Sequence, residues 1–256
     1  VEISIEVILF LVLASALAGL VDSFAGGGGL IQLPALLIAL PKTAPAELLG
    51  TNKLPSFLGT ASATASYLRR LRPDFRIAFA MALPAFIGAA LGATVATLIP
   101  KDAFRPIILF ALVAVFIYTW RRKELGLSDN KGERTTRTYL IASAAGLTIG
   151  FYDGIFGPGT GSFLMLILVG LLGFAFLEAS VTAKIANLAT NLGAIVVFGA
   201  NGKIIWTLGL AMAVGNIIGG LVGARLAIKG GSKLIRRVFL IVTSLFILRL
   251  AIDTFL

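Results

Sequence analysis

Long apolar blocks fill this chain, and charged or Pro/Gly punctuation separates them near residues 5–21, 30–40, 46–68, 77–99, 104–120, 138–152, 161–177, 179–200, 204–228 and 234–256. Blocks of this kind predict membrane helices, five before and five after the one long polar stretch, "RRKELGLSDNKGERTTR" at residues 121–137. A helix needs about 20 residues to cross the hydrocarbon core, so the block 30–40 is too short to cross alone. It reads as a half-helix or a re-entrant piece, and the glycines before it, in "DSFAGGGG", fall at or within membrane depth. The polar stretch carries both signs of charge without apolar periodicity, which predicts a linker between an N-terminal transmembrane repeat, 1–120, and a C-terminal one, 138–256.

The two halves match each other at one constant offset, which pairs Gly19 with Gly150, Asp22 with Asp153, Gly26 with Gly157, Glu47 with Glu178, Thr51 with Thr182 and Lys53 with Lys184. The register continues without a gap through Met81 and Met212, Gly88 and Gly219, Gly92 and Gly223, and Arg105 and Arg236. Small-residue matches are cheap in membrane sequences, whereas coincident acids and lysines are not, so a duplication is inferred. Loop charge gives its orientation. The loop "RRLRPDFR" follows the third block of the first half, but in the second half the basic loop, "KGGSKLIRR", follows the fourth. If basic loops face the cytoplasm, the halves run oppositely, the linker is cytoplasmic and both termini lie outside. The expected fold is an all-α polytopic membrane protein, an inverted repeat with 8–10 transmembrane helices broken or re-entrant at the glycine motifs.

Composition narrows the chemistry. Of 256 residues 58% are hydrophobic and only 13% charged, with a mean hydropathy of +0.98. The net charge of +10 lies in short loops between apolar blocks, which explains it by membrane orientation and not by nucleic-acid binding. Cysteine and histidine are both absent, which removes thiolate and imidazole as nucleophile, base or metal ligand. Neither an enzyme nor a resident cofactor or metal is expected. No short basic leader with a small-residue cleavage site precedes the first block, which therefore reads as a retained span.

A charge near the bilayer centre costs about 2.5–3.5 kcal/mol on insertion scales, so each buried one needs a partner, water or a ligand. Glu47 and Glu178 fall in the first turn of a helix, where a carboxylate complements the dipole. Lys53 and Lys184 stand about two turns into their helices. Lys53 lies near Pro55, which should kink or break the helix, and Lys184 shares a face with Asn187 and Asn191. Each lysine either serves a ligand, pairs with an acid or snorkels outward. The run Gly26, Gly27, Gly28 and Gly29 should unwind the chain and free backbone N–H groups at the start of the next half-helix, a ready anion site. In "YDGIFGPGTGSF" the same break is made by Gly157, Pro158, Gly159 and Gly161. Neither copy has the Gly-Lys-Ser/Thr ending of a phosphate loop.

The pieces "AGLVDSFAGGGGLIQLPAL", "LLGTNKLPS", "GFYDGIFGPGTGSF", "TAKIANLATNLG", "GKIIWTLG" and "IGGLVGARLA" resemble the sulfite exporter TauE/SafE family, also called the toluenesulfonate uptake permease family, and within it the YfcA-like branch. The resemblance covers nearly the whole chain and implies a duplicated inner-membrane transporter of small anions, among them sulfite, sulfoacetate and other organosulfur compounds. The "GPGTG" of the second copy departs from the plainer glycine run of many relatives. With the residues above, the resemblance leads to an expected secondary transporter of a small sulfur oxyanion or sulfonate, working by alternating access. Lys53 and Lys184 would supply charge. The N–H groups of Gly26–Gly29 and Gly157–Gly161 and the side chains of Thr51, Asn52, Thr182, Asn187 and Asn191 would supply hydrogen bonds. Asp22 and Asp153 are the candidates for proton coupling, the alternative being that they cap the glycine loops or neutralise the lysines. Expected partners are the substrate anion and the lipid bilayer, with a homodimer left open. The competing readings are a transporter of a cation held by the four acids, or of a non-sulfur anion, or a non-transporting membrane subunit.

Overall fold

A computed structural model describes residues 3–96 and 134–255. Its elements are α1 (Ile5–Ala25), α2 (Gly29–Ala39), α3 (Pro45–Leu68), α4 (Phe75–Ala96), α5 (Thr136–Ile155), α6 (Thr160–Gly170), α7 (Phe176–Ala200) and α8 (Trp206–Phe255). Helix α8 is broken at Gly231, whose φ of 61° and ψ of −166° are not helical. The block 104–120 and the linker residues 121–133 lie outside the described residues. Among the described residues four stretches, Ile5–Phe24, Phe75–Ala96, Phe176–Ala200 and Trp206–Val238, are long and apolar enough to cross a membrane, and the chain is a multi-pass membrane protein.

Three local expectations change. Composition carries the linker to Arg137, but α5 begins at Thr136, because the Thr135 and Thr138 side chains close a capping box around its first turn. The block 161–177 yields a helix of only 11 residues, the same length as α2. It stops at Gly170 because the chain turns at Gly173 and the N–H groups of Leu172 and Phe174 bond back to the Ile167 and Leu168 carbonyls. Pro55 does not break α3, which runs on to Leu68. Its missing N–H frees one carbonyl, a defect tolerated where neighbouring helices enclose the segment, and Thr51 to Pro55 are all buried.

The glycine motifs make two hairpins. The α1–α2 hairpin returns to the end it came from, where Ile3 and Val7 share an apolar cluster with Leu37, Ala39, Leu48 and Leu208. The α5–α6 hairpin likewise brings Tyr139 together with Leu172 and Phe174, in a cluster that includes Tyr67 and Ile235. The long helices pack across the halves: α8 lies against α1 and α3, and α4 lies against α5 and α7. Backbones come very close there. A Cβ on Gly88 would meet the Leu147 carbonyl at 2.2 Å, and one on Gly219 would meet the Ala16 carbonyl at 1.9 Å. Under the offset that relates the halves, Gly88 corresponds to Gly219 and Ala16 to Leu147, so one contact repeats the other. The outer faces follow the same spacing: α4 exposes Phe79, Leu83, Ile87 and Leu91, and α8 exposes Leu210, Val214, Ile218 and Val222. Large apolar side chains every fourth residue on an open face are suited to lipid.

Candidate functional site

The two hairpin breaks meet. Helix α1 ends where Gly26 takes a φ of 69°, a left-handed conformation, and its N–H bonds to the Asp22 carbonyl. A Cβ on Gly26 would lie 2.3 Å from the Gly161 Cα, so the first turn of α6 packs directly on the first break. In the second break Gly157 has a φ of 88°, and a Cβ there would lie 2.9 Å from Lys53 Nζ. Glycine is needed at both positions for its conformation and for the closeness of what it touches.

Each lysine pairs with the aspartate of the opposite half. Lys53 Nζ donates to Asp153 Oδ2 at 2.7 Å and to the Asp153 carbonyl at 2.6 Å. Lys184 Nζ donates to the Asp22 carbonyl at 2.6 Å and to Asp22 Oδ2 at 3.2 Å. Each lysine thus donates to both the carboxylate and the main-chain carbonyl of its aspartate, near the ends of α1 and α5. The two pairs are copies of one another, since the offset between the halves carries Lys53 to Lys184 and Asp22 to Asp153. Both lysines are almost wholly buried, and at such sites an unpaired ammonium would carry a heavy desolvation cost.

The other expected residues divide into three groups. Asn52 is buried beside Lys53, its Oδ1 has no partner among the described residues, and its Nδ2 lies 3.8 Å from where a Gly29 Cβ would be. Asn187 joins Gly26, Gly161, Met165, Ser180 and Lys184 in lining a cleft too narrow, as it stands, to admit water. The N–H of Gly28 donates to Asp22 Oδ1 at 3.3 Å, and Gly29 opens α2 as Gly161 lies in the first turn of α6. Gly27 and Gly159 lie within the two breaks, and Gly159, at φ 82°, caps the start of α6. Thr51, Thr182 and Asn191 are engaged elsewhere. Thr51 Oγ1 accepts the Ile205 N–H, tying α3 to the start of α8, Thr182 bonds back to the Glu178 carbonyl, and Asn191 Nδ2 bonds to the Asn187 carbonyl and Oδ1.

Sequence reasoning missed several polar groups. Thr160 Oγ1 donates to Asp153 Oδ1 at 2.6 Å, and Thr60 Oγ1 to Asp22 Oδ2 at 3.3 Å. Thr60 had a signal, since its counterpart in the second half is the polar Asn191, whereas the counterpart of Thr160 is Gly29. Gln32 is wholly buried between Ser15 and Ser56, donating to the first at 2.5 Å and accepting from the second at 3.1 Å. A lone amide in the apolar block 30–40 was the available sign.

Residues 11–250 match the model of the family described as sulfite exporter TauE/SafE. A protein of Sinorhizobium sp named probable membrane transporter protein ORF9 is 40% identical over 253 residues, covering 98% of this chain and 95% of the relative. The probable membrane transporter protein YfcA of Escherichia coli K12 is 38% identical, over 96% of this chain and 90% of its own length. A probable membrane transporter protein of Haemophilus influenzae is 34% identical, over 98% and 97%. No solved structure matches the chain.

Proposed function

The chain belongs to the sulfite exporter TauE/SafE family, and from that premise we propose that it is a secondary transporter of a small sulfur-containing oxyanion or sulfonate. The observation that carries the reading is the pair of buried lysine–aspartate contacts that cross between the halves beside the two glycine breaks. The relatives' names speak for transport, and the family description speaks for a sulfur anion. Two hairpins entered from opposite ends, with glycine contacts that repeat from one half to the other, support an inverted repeat. Such a repeat exposes one central site to either side in turn when its halves exchange conformations. The narrow cleft between the breaks fits an occluded stage of that cycle.

Both lysines are held by aspartates in this arrangement, so an anion must displace a carboxylate to reach one. A carboxylate stripped of its partner in a dry site takes up a proton, which couples anion and proton movement. Lys53, Lys184, Asn52, Asn187 and the N–H groups at the two breaks would hold the anion, with Asp22 and Asp153 as proton acceptors. Lysine beside every one of these buried acids favours an anion over a cation. The basic loops favour a cytoplasmic linker and external termini, in a cytoplasmic membrane. In proteoliposomes, Lys53→Ala and Lys184→Ala should each abolish uptake of sulfite and sulfonates. Uptake at the wild-type rate by Lys184→Ala would sink the anion site.

A further inference from the structure

The two ion pairs are alike in sequence but not in construction. Asp153 is held at every oxygen by a short bond: Oδ1 by Thr160 at 2.6 Å, Oδ2 by Lys53 at 2.7 Å and the carbonyl by Lys53 at 2.6 Å. The Asp22 carbonyl takes the same 2.6 Å bond from Lys184, but among the described residues its carboxylate has only long contacts, at 3.3 Å to the Gly28 N–H, 3.3 Å to Thr60 and 3.2 Å to Lys184. Charge-assisted hydrogen bonds of full strength run near ~2.7–2.9 Å, so those at the Asp22 carboxylate stand at the outer limit. Exposure follows the same division, since the Asp153 side chain is 3% exposed and that of Asp22 14%. The cleft also lies on the Lys184 side. Its polar lining is Lys184, Ser180 and Asn187, and the Asn187 Oδ1 already accepts from Thr190 and Asn191, leaving its Nδ2 as a donor.

We propose that the two halves divide the work: the Lys184–Asp22 pair opens to take the substrate as a monoanion together with one proton, and the Lys53–Asp153–Thr160 cluster stays closed as a structural tie. The inference rests on the transport reading above and narrows it, leaving anion binding to Lys184 and proton uptake to Asp22 and taking Lys53 and Asp153 out of those roles. The anion oxygen replaces Asp22 Oδ2 on Lys184, with Asn187 as a further donor, Ser180 as another once its hydroxyl turns from the Phe24 carbonyl, and Met165 against the apolar remainder of the substrate. Asp22 then accepts a proton, so one negative charge and one positive charge enter together and the charge of the site is unchanged. Among the described residues, the ionisable groups around Asp22 are Lys184 from α7 and Tyr67 from α3, whose hydroxyl already donates to the Ser23 carbonyl. Neither needs to change charge for this exchange.

The test uses the purified full chain in proteoliposomes, with sulfite and a small alkyl sulfonate as probes. For each probe, accumulation driven by a pH gradient is measured beside counterflow exchange without one. Asp22→Asn should lose at least about tenfold of gradient-driven accumulation while counterflow falls far less. Asp153→Asn should unfold at lower temperature. Thr160→Val, which loosens Asp153 without uncovering a charge, should keep the wild-type ratio of accumulation to counterflow. Wild-type uptake should not respond to a potassium diffusion potential of either sign. Gradient-driven accumulation by Asp22→Asn at the wild-type level would overturn the division of labour, as would loss of coupling in Thr160→Val or uptake that follows the membrane potential. A wild-type protein that moves neither probe in either assay would instead remove the transport reading itself.

Discussion

Lysine and aspartate buried in contact constrain each other's substitution. Removing one leaves the other charged and stranded, so Lys53→Ala is expected to destabilise the fold by about 3–5 kcal/mol, read as a lower unfolding temperature in detergent. Replacing both members by apolar residues, Lys53→Met with Asp153→Leu, removes the stranded charge and should recover most of that loss. A double variant no more stable than the single one would show that the pair's hydrogen bonds to the Asp153 carbonyl and Thr160 matter more than its charge. The lysines and aspartates could be picked out from the sequence because acids and amines are rare in apolar blocks. Their pairing could not: Asp22 and Lys53 belong to one half, and it takes the tertiary packing of helices across the halves, α3 on α7 among them, to put each lysine against the other half's acid. The same limit applies to Thr51 and Thr182, polar residues in the right block whose side chains bond away from the pairs.

At the level of the helix, glycine decides where the chain turns back. Four glycines in an apolar block cannot sustain a helix, and the break falls there as the sequence predicts, between Ala25 and Gly29. Proline was the weaker guide, since α3 absorbs Pro55 through its surroundings while α6 ends early through a turn at Gly173 that the apolar run "LLGF" does not advertise. Gly26 is the most constrained position. Gly26→Ala would place a methyl group 2.3 Å from the Gly161 Cα, on a backbone already at positive φ. Neither backbone can yield without separating α6 from α1, so the variant is expected to lose folded protein, seen as aggregation on size-exclusion chromatography. A monodisperse Gly26→Ala protein of wild-type stability would show that the two breaks are not pressed together.

At the scale of the molecule, the glycine contacts of α4 on α5 recur in α8 on α1, while charge differs between the two ends. Gly88→Leu and Gly219→Leu should be similarly disruptive in thermal unfolding, because each drives a side chain into a carbonyl of the helix it packs on, Leu147 in one case and Ala16 in the other. Charge breaks the symmetry between the two membrane faces. Arg72, Arg76, Arg134 and Glu178 line one groove, and the Leu177 N–H bonds to Ser232 at the break in α8, so "RRLRPDFR" and "KGGSKLIRR" gather at the same end. The opposite end, where α1 starts and α2 finishes, has Lys42 and Lys203 against Glu6 and Glu47. Basic residues are retained on the cytoplasmic side of short loops, so the first end should face the cytoplasm. The natural chain has no cysteine, which makes a single introduced thiol a clean reporter. In intact cells a membrane-impermeant maleimide should label Lys42→Cys, and Arg72→Cys should be labelled only after the cells are broken. The reverse pattern would invert the topology, and labelling of both in intact cells would mean that the molecule inserts both ways, as a protein with evenly charged ends would.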